Sequence, residues 1–259
     1  MKTDKKNVSP DADVSDVELK QFGLTQEGEE VYQHPWKLSR GDCVLKQLKN
    51  KNLRNIADIG VNDMFYTKKA KSFASKKVYA VDVFFPEDGA KKDDIICVND
   101  IEKLPNGEFD AIIMMDVLEH IDNDKKFFDT AVNKLKSGAT ILITVPAWQF
   151  LFSAHDKKCR HYRRYDRKQL LKLFEHNDIK VERCHYFYTS LFFARLVCLL
   201  FKKNKFKGNE SGSWKYGEKN IITSVIRTIL NLDYLVGKTL DMLGLHLPGL
   251  SLIAVCRKK

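Results

Sequence analysis

Three apolar runs in the sequence each end in a carboxylate. Asn55-Ile56-Ala57-Asp58-Ile59-Gly60 carries Asp58, Val78-Tyr79-Ala80-Val81-Asp82 carries Asp82, and Ala111 to Asp116 carries Asp116, with Val117-Leu118-Glu119-His120 behind it. In an open α/β sheet the carboxyl ends of the strands line one crevice, so these acids are expected to gather around one ligand. Asp82 stands about one βαβ repeat beyond Asp58, at the end of the adjacent strand, where an acid can accept both hydroxyl hydrogens of a ribose. Gly60 follows the first strand, and its missing Cβ lets a ligand approach the backbone. A dinucleotide fingerprint would need G-x-G-x-x-G here. The chain reads Gly60-Val61-Asn62-Asp63-Met64, which argues against a nicotinamide cofactor.

A second dense segment runs from Trp148 to Tyr165. It holds Ser153-Ala154-His155-Asp156 and then Arg160-His161-Tyr162-Arg163-Arg164-Tyr165. It begins after Val145-Pro146, at the carboxyl end of another apolar run, and therefore over the same crevice. Arginine forks bind phosphate or carboxylate oxygens bidentately, so Arg160, Arg163 and Arg164 suit an anionic acceptor. The bland alternative is a solvated basic loop paired to surface acids.

The elements that must position these residues alternate. Strands are predicted at 55–60, 77–83, 94–98, 109–116 and 139–145, with helices around 63–75 and 123–136 between them. A helix is predicted within 31–49, where Leu38, Val44, Leu45 and Leu48 recur near helical spacing and Trp36 and Arg40 are carried towards strand one. Strands alternating with helices mean a parallel sheet covered on both faces. A helix at 167–177, a strand near 179–187 and a last strand at 251–256 complete the pattern. Residues 1–28 read as a polar arm, 29–189 with 249–259 as the main domain, and 190–248 as a helical, partly basic insertion. In the insertion Ile222, Val225, Ile226, Ile229, Leu230, Val236, Leu240 and Leu243 form a broad apolar stripe. A helical cap on the domain is the first reading. Docking to a membrane surface, with Lys202, Lys203, Lys205 and Lys207 meeting lipid phosphates, is the second.

Composition bounds the partners. The chain has 259 residues and a net charge of +10, which favours an anionic partner. Its six cysteines form no C-x-x-C pair, so neither a zinc site nor a disulfide framework is indicated by them. Leu191 to Phe201 is too short to span a bilayer. The basic stretch Met1 to Asn7 is followed by polar and acidic residues instead of an apolar core, so no signal peptide is expected. The expected location is cytoplasmic, with peripheral contact at the inner face of a membrane through 190–248.

The strand-end residues resemble those of the class I methyltransferases that use S-adenosylmethionine. That family carries apolar-apolar-Asp-apolar-Gly in strand one, an acid ending strand two, an acid after strand three and often D-V-L-E-H after strand four. This chain offers Ile56-Ala57-Asp58-Ile59-Gly60, then Asp82, then Asn99-Asp100-Ile101, then Asp116-Val117-Leu118-Glu119-His120. The resemblance implies a doubly wound, mostly parallel, seven-stranded Rossmann-like α/β sheet with helices on both faces and an antiparallel last strand. It implies that S-adenosylmethionine is the cofactor, with Asp58 and Gly60 at its methionine part, Asp82 at the ribose, Asp100 at the adenine amino group, and Asp116 and Val117 along the wall. Asn62, Val83 and Ile101 fall beside these positions. Asn62 and Met64 stand where the family usually has further glycines, and Asn tolerates left-handed backbone.

The second segment resembles a bacterial subgroup of the family, often met in surface-polysaccharide or lipid-linked glycan synthesis, with W-x-x-L-x-S-x-H-D followed by G-H-x-R-R-Y. Arg160 stands where the subgroup has glycine. The resemblance implies methyl transfer to an anionic or glycan-type acceptor, a small molecule or a lipid-linked one. If that acceptor is a hydroxyl, a base must take its proton, and His155 beside Asp156 is the first candidate, followed by His161 and then His120. Trp148, Arg160, Arg163, Arg164 and Tyr165 would bind the acceptor. Two alternatives stay open: an RNA methyltransferase, which the missing RNA-binding appendage disfavours, and a non-catalytic binding protein on a degenerate methyltransferase fold.

Overall fold

A computed structural model describes residues 34–61, 63–87, 90–92, 95–175, 178–200, 216–217 and 219–259. Residues 1–28, Asn62 and the lysines at 202, 203, 205 and 207 therefore lie outside the described residues.

The first element among the described residues is helix α1 (Pro35–Leu45), started by Pro35 in its first turn and by the His34 ring, which accepts a hydrogen bond from the Trp36 amide. Strand β1 (Leu53–Ile59), the short helix α2 (Phe65–Ala70) and β2 (Ala74–Val81) follow. Then come β3 (Ala90–Lys92), β4 (Ile95–Val98), β5 (Phe109–Met115), α3 (Asp124–Lys134) and β6 (Leu135–Pro146). The second half adds α4 (Ala154–Lys158), α5 (Arg167–Phe174), β7 (Ile179–Phe187), α6 (Thr189–Leu200), α7 (Ile221–Met242) and β8 (Ser251–Lys258).

One sheet holds all these strands in the order β3-β4-β2-β1-β5-β6-β8-β7. The pairs β1–β2, β1–β5, β2–β4 and β5–β6 are parallel, and β8 lies antiparallel between β6 and β7. This is the doubly wound sheet with an antiparallel last strand that the sequence implies. Beyond the seven expected strands, β3 adds three residues antiparallel to the edge strand β4.

Coverage of both faces explains the unbroken apolar runs of β5 and β6. Ile112, Met114, Ile141 and Ile143 pack on one face with Phe128 of α3 and Leu170 of α5. Ala111, Ile113 and Leu142 face the other way, against Val44 and Leu45 of α1 and Leu230 and Tyr234 of α7. The insertion helix α7 packs on this face of the sheet through Leu230 and Tyr234. It buries a narrow stripe of Thr223, Leu230, Tyr234 and Gly237, and Asp42 of α1 pairs with its Arg227 at 2.6 Å. Its opposite side is apolar as well: Val225, Ile229, Leu232, Leu235 and Val236 are exposed, as are Phe193 and Val197 of α6. Among the described residues no helix is long and apolar enough to cross a membrane.

Candidate functional site

The first part of the site is the turn after β1. Gly60 has φ +71°, and its amide donates to the Val81 carbonyl at 2.7 Å. A Cβ added at Gly60 would meet Val117 Cγ2 at 2.7 Å, so only glycine fits between β1 and the turn after β5. Met64 closes the loop at φ +60° with its side chain buried and its amide donating to Val61 at 3.0 Å. A methionine thus holds a left-handed position that favours glycine. Asp58 is fully buried and accepts a hydrogen bond from Thr67 Oγ1 of α2 at 2.6 Å; burial pushes its carboxyl up to about 7.

Register brings the other acids to the same edge. Val81 of β2 pairs with Val98 of β4, so Asp82 and Asn99-Asp100 leave adjacent strand ends side by side. The Asp82 amide donates to the Val98 carbonyl at 3.1 Å, and its carboxylate accepts from the Phe84 amide at 3.2 Å. Val83 and Phe84 beyond it are 79% and 68% exposed, which makes an apolar lip beside the acid. Asp100 is exposed and caps the single turn 101–103 by accepting from the Glu102 amide at 2.9 Å, while Ile101 is buried.

Asp116, at φ +58°, is committed to protein partners. One carboxylate oxygen accepts from Thr144 Oγ1 at 3.0 Å, and the other pairs with Arg40 Nη1 of α1. Lys37 of the same helix pairs with Asp63 in the turn after β1, so α1 lies across the crevice and is pinned at two points. Arg40 is the site residue whose partner the sequence did not reveal. Its signal is the i, i+4 spacing from Trp36, on whose ring the guanidinium sits 3.8 Å from the centroid.

The segment after β6 forms a closed loop. Ala147 bridges Tyr165, and the Trp148 amide donates to the Tyr165 carbonyl at 2.9 Å. Trp148 stacks on Tyr186 at 4.5 Å, and its Nε1 donates to the Gly249 carbonyl at 2.9 Å. Asp156 is the hub. It caps α4 through the Ser153 amide at 2.8 Å, lies 2.9 Å from His161 Nδ1, and receives Arg164 Nε at 2.8 Å and Nη2 at 3.1 Å. Burial alone would raise this carboxylate, but the His161 and Arg164 hydrogen bonds win and hold it well below the usual range.

The remaining basic residues divide. Arg163 pairs with Asp124 at 2.8 Å and donates to the Asp122 carbonyl at 2.6 Å. The buried Tyr165 hydroxyl is 2.7 Å from Asp124 Oδ2. Arg160 is exposed at φ +58°, in the left-handed region that favours glycine. Asp156 pairs with His161, not with His155; His155 is exposed, with Nε2 3.6 Å from Cys159 Sγ. Next to His161 stand His120, with ring centroids 4.6 Å apart, and the fully buried Glu119. A separate cavity of about 390 Å³, lined by Lys51, Asp110, Lys136 and Gly138, opens at the opposite end of the sheet from this crevice.

Comparison with known proteins agrees with this geometry. A family model for the methyltransferase domain matches residues 43–193, more than half of the chain. Comparison with curated proteins finds no match. Among solved structures, phosphoethanolamine N-methyltransferase 2 of Haemonchus contortus is similar in fold. With S-adenosyl-L-methionine bound, it aligns at a TM-score of 0.52 and 15% identity over 96% of this chain and 58% of that one. With phosphomonomethylethanolamine and S-adenosylhomocysteine bound, it aligns at 0.53 and 17% over 96% and 59%. This chain therefore spans about three fifths of that enzyme's length. An S-adenosylmethionine-dependent methyltransferase from Mesorhizobium loti aligns at a TM-score of 0.51 and 14% identity, over 85% of this chain and 97% of that one.

Proposed function

The chain belongs to the class I S-adenosylmethionine-dependent methyltransferases, and from that membership we propose that it methylates an anionic, glycan-type acceptor carried on a lipid at a membrane surface. The observation that carries the cofactor half of this reading is the geometry at Gly60. Its φ of +71° and the 2.7 Å approach of Val117 keep a side-chain-free opening at the carboxyl ends of β1 and β5. These residues fit the group. Asp82 would accept from the ribose hydroxyls, the exposed Val83 and the buried Ile101 would flank the adenine, Asp100 would meet its amino group, and Val117 would form the wall. Asp58 and Asp116 act one layer back, Asp58 by holding α2 through Thr67 and Asp116 by holding α1 through Arg40.

The cofactor, when bound, supplies a methyl group on a sulfonium, ready for in-line displacement. Such a step is accelerated mainly by holding acceptor and donor close and aligned, so the chain's work is positioning and water exclusion. The helix α1 roofs the crevice, and the loop from Trp148 to Tyr165 walls it. Arg164, Arg163 and Tyr165 build that wall through Asp156 and Asp124. Of Arg160, Arg163 and Arg164, Arg160 is the exposed one, and it would meet an acidic acceptor. Of the two histidines in this loop, His161 is the one held in a fixed orientation by a carboxylate, that of Asp156.

The lipid-linked part of the reading rests on the outer faces of α6 and α7. Large apolar side chains stand exposed along both helices, among them Val197, Val225, Ile229, Leu232 and Val236. Contiguous exposed apolar surface of this kind marks an interaction site, and a net charge of +10 favours an anionic bilayer as its partner. The test is transfer of labelled methyl from S-adenosylmethionine to a total cell extract that is then separated into organic-phase lipid and RNA fractions. Label in the organic phase that mild acid releases as a glycan supports the reading. Label only in RNA, or in no fraction, overturns it.

A further inference from the structure

Behind the crevice, two segments bring three metal-ligating side chains together. Glu119 and His120 come from the single turn after β5, and His161 comes from the loop after α4. One carboxylate oxygen and one ring nitrogen from each histidine lie within 4.8 Å of one another.

Glu119 is the independent observation. Its side chain is fully buried, and among the described residues neither carboxylate oxygen has a hydrogen-bond partner. A buried carboxylate without partners is costly, and a cation beside it removes the cost. The two histidines complete a donor set with the right chemistry. His161 Nδ1 is engaged with Asp156 at 2.9 Å, which leaves Nε2 to offer a lone pair. A carboxylate behind a histidine is what orients metal-bound imidazoles, and Asp156 is itself fixed by Arg164 and by the amide of Ser153. His120 is exposed, so the cluster opens to solvent on one side.

We propose that Glu119, His120 and His161 bind one first-row divalent transition-metal ion, with Asp156 as the positioning residue for His161. Two imidazoles and one carboxylate select zinc, cobalt, manganese or iron over the harder magnesium and calcium, which prefer all-oxygen shells. Bonds of about 2.0–2.2 Å require the three donors to draw together by roughly 1 Å, which side-chain rotation at the exposed His120 supplies. Three protein donors leave coordination positions for water or for an oxygen of a substrate. The sequence spacing hid this site, because the ligands are an adjacent pair and a distant histidine without the cysteine pairs that announce zinc.

The test uses the full chain, freed of metal by chelation and titrated with cobalt chloride near neutral pH. Cobalt reports its coordination by visible absorption without turnover, so failure here leaves the methyl-transfer reading intact, and failure of cofactor binding leaves this site intact. The expected result is saturation at one cobalt per chain, displacement by one equivalent of zinc, and loss of at least about tenfold in affinity in Glu119→Gln and in His161→Ala. His120→Ala, at an exposed position, keeps the test decisive if the buried variants fail to fold. His155→Ala should titrate like the parent. A protein that gives no cobalt band, or variants that titrate like the parent, would show Glu119 to be a buried neutral acid and overturn the assignment.

Discussion

Arg40 on α1, only 2% exposed, is ion-paired with Asp116 in the turn after β5, 76 residues away in sequence, and its guanidinium sits over the Trp36 ring. This pair fixes the roof of the crevice to its floor. Removing one partner of a buried ion pair strands the other, at a cost on the order of 3 kcal/mol. Arg40→Ala should lose about that much in urea denaturation, and Arg40→Lys, which keeps the charge but not the planar stack, should lose less.

Asp82 lies at the end of β2, beside the Val98 end of β4. Its carboxylate accepts from a loop amide at a strand end and carries no helix. Asp82→Ala is expected to weaken S-adenosylhomocysteine binding by about 10- to 100-fold, the scale of lost hydrogen bonds to a charged group, with stability within about 0.5 kcal/mol of the parent. Calorimetric titration and a thermal melt check the two halves. Unchanged affinity would remove Asp82 from the ribose.

Asp58 makes stability depend on pH. Burial raises its carboxyl to about 7 in the folded protein, above its value in the unfolded chain, so the folded state holds the proton more tightly. The group's favourable contribution is complete below the unfolded value and is lost as pH rises through about 7. Asp58→Asn, which still accepts from Thr67, should therefore gain stability over the parent at about 1.4 kcal/mol per pH unit across that window, with no further gain above it. Urea denaturation from pH 5 to pH 8 reads the difference directly, and a pH-independent gap would contradict the burial account.

The outer face of α7 should dock to lipid. Ile229→Ser with Leu232→Ser replaces two exposed apolar side chains on the side away from Leu230 and Tyr234. The double variant should keep its melting temperature, because neither position is buried, and should lose co-sedimentation with anionic vesicles. Retained vesicle binding would move the contact off this helix.

Much of this is legible in the sequence because it repeats locally. Gly60, Asp82 and Asp116 are readable as strand ends, and the apolar runs of β5 and β6 declare their burial on both faces. Asp156 reads in the sequence as the neighbour of His155, but in the fold it caps α4 with Ser153 and serves His161. What was hidden depends on residues distant in sequence. The Arg40–Asp116 and Arg163–Asp124 pairs and the meeting of Glu119 with His161 exist only once the sheet has formed. The edge strand β3 escaped notice because Lys91-Lys92 carries no apolar alternation. The predicted helix from 63 ends at Ala70 because Lys71–Phe73 tightens into a single narrower turn before β2.

In this reading the carboxyl ends of β1, β2, β4 and β5 hold S-adenosylmethionine although Met64 occupies a left-handed position that favours glycine. Isothermal titration of the full chain with S-adenosylhomocysteine tests it most directly. Saturable binding at one ligand per chain in the micromolar range is expected. No heat of binding at millimolar ligand would contradict it.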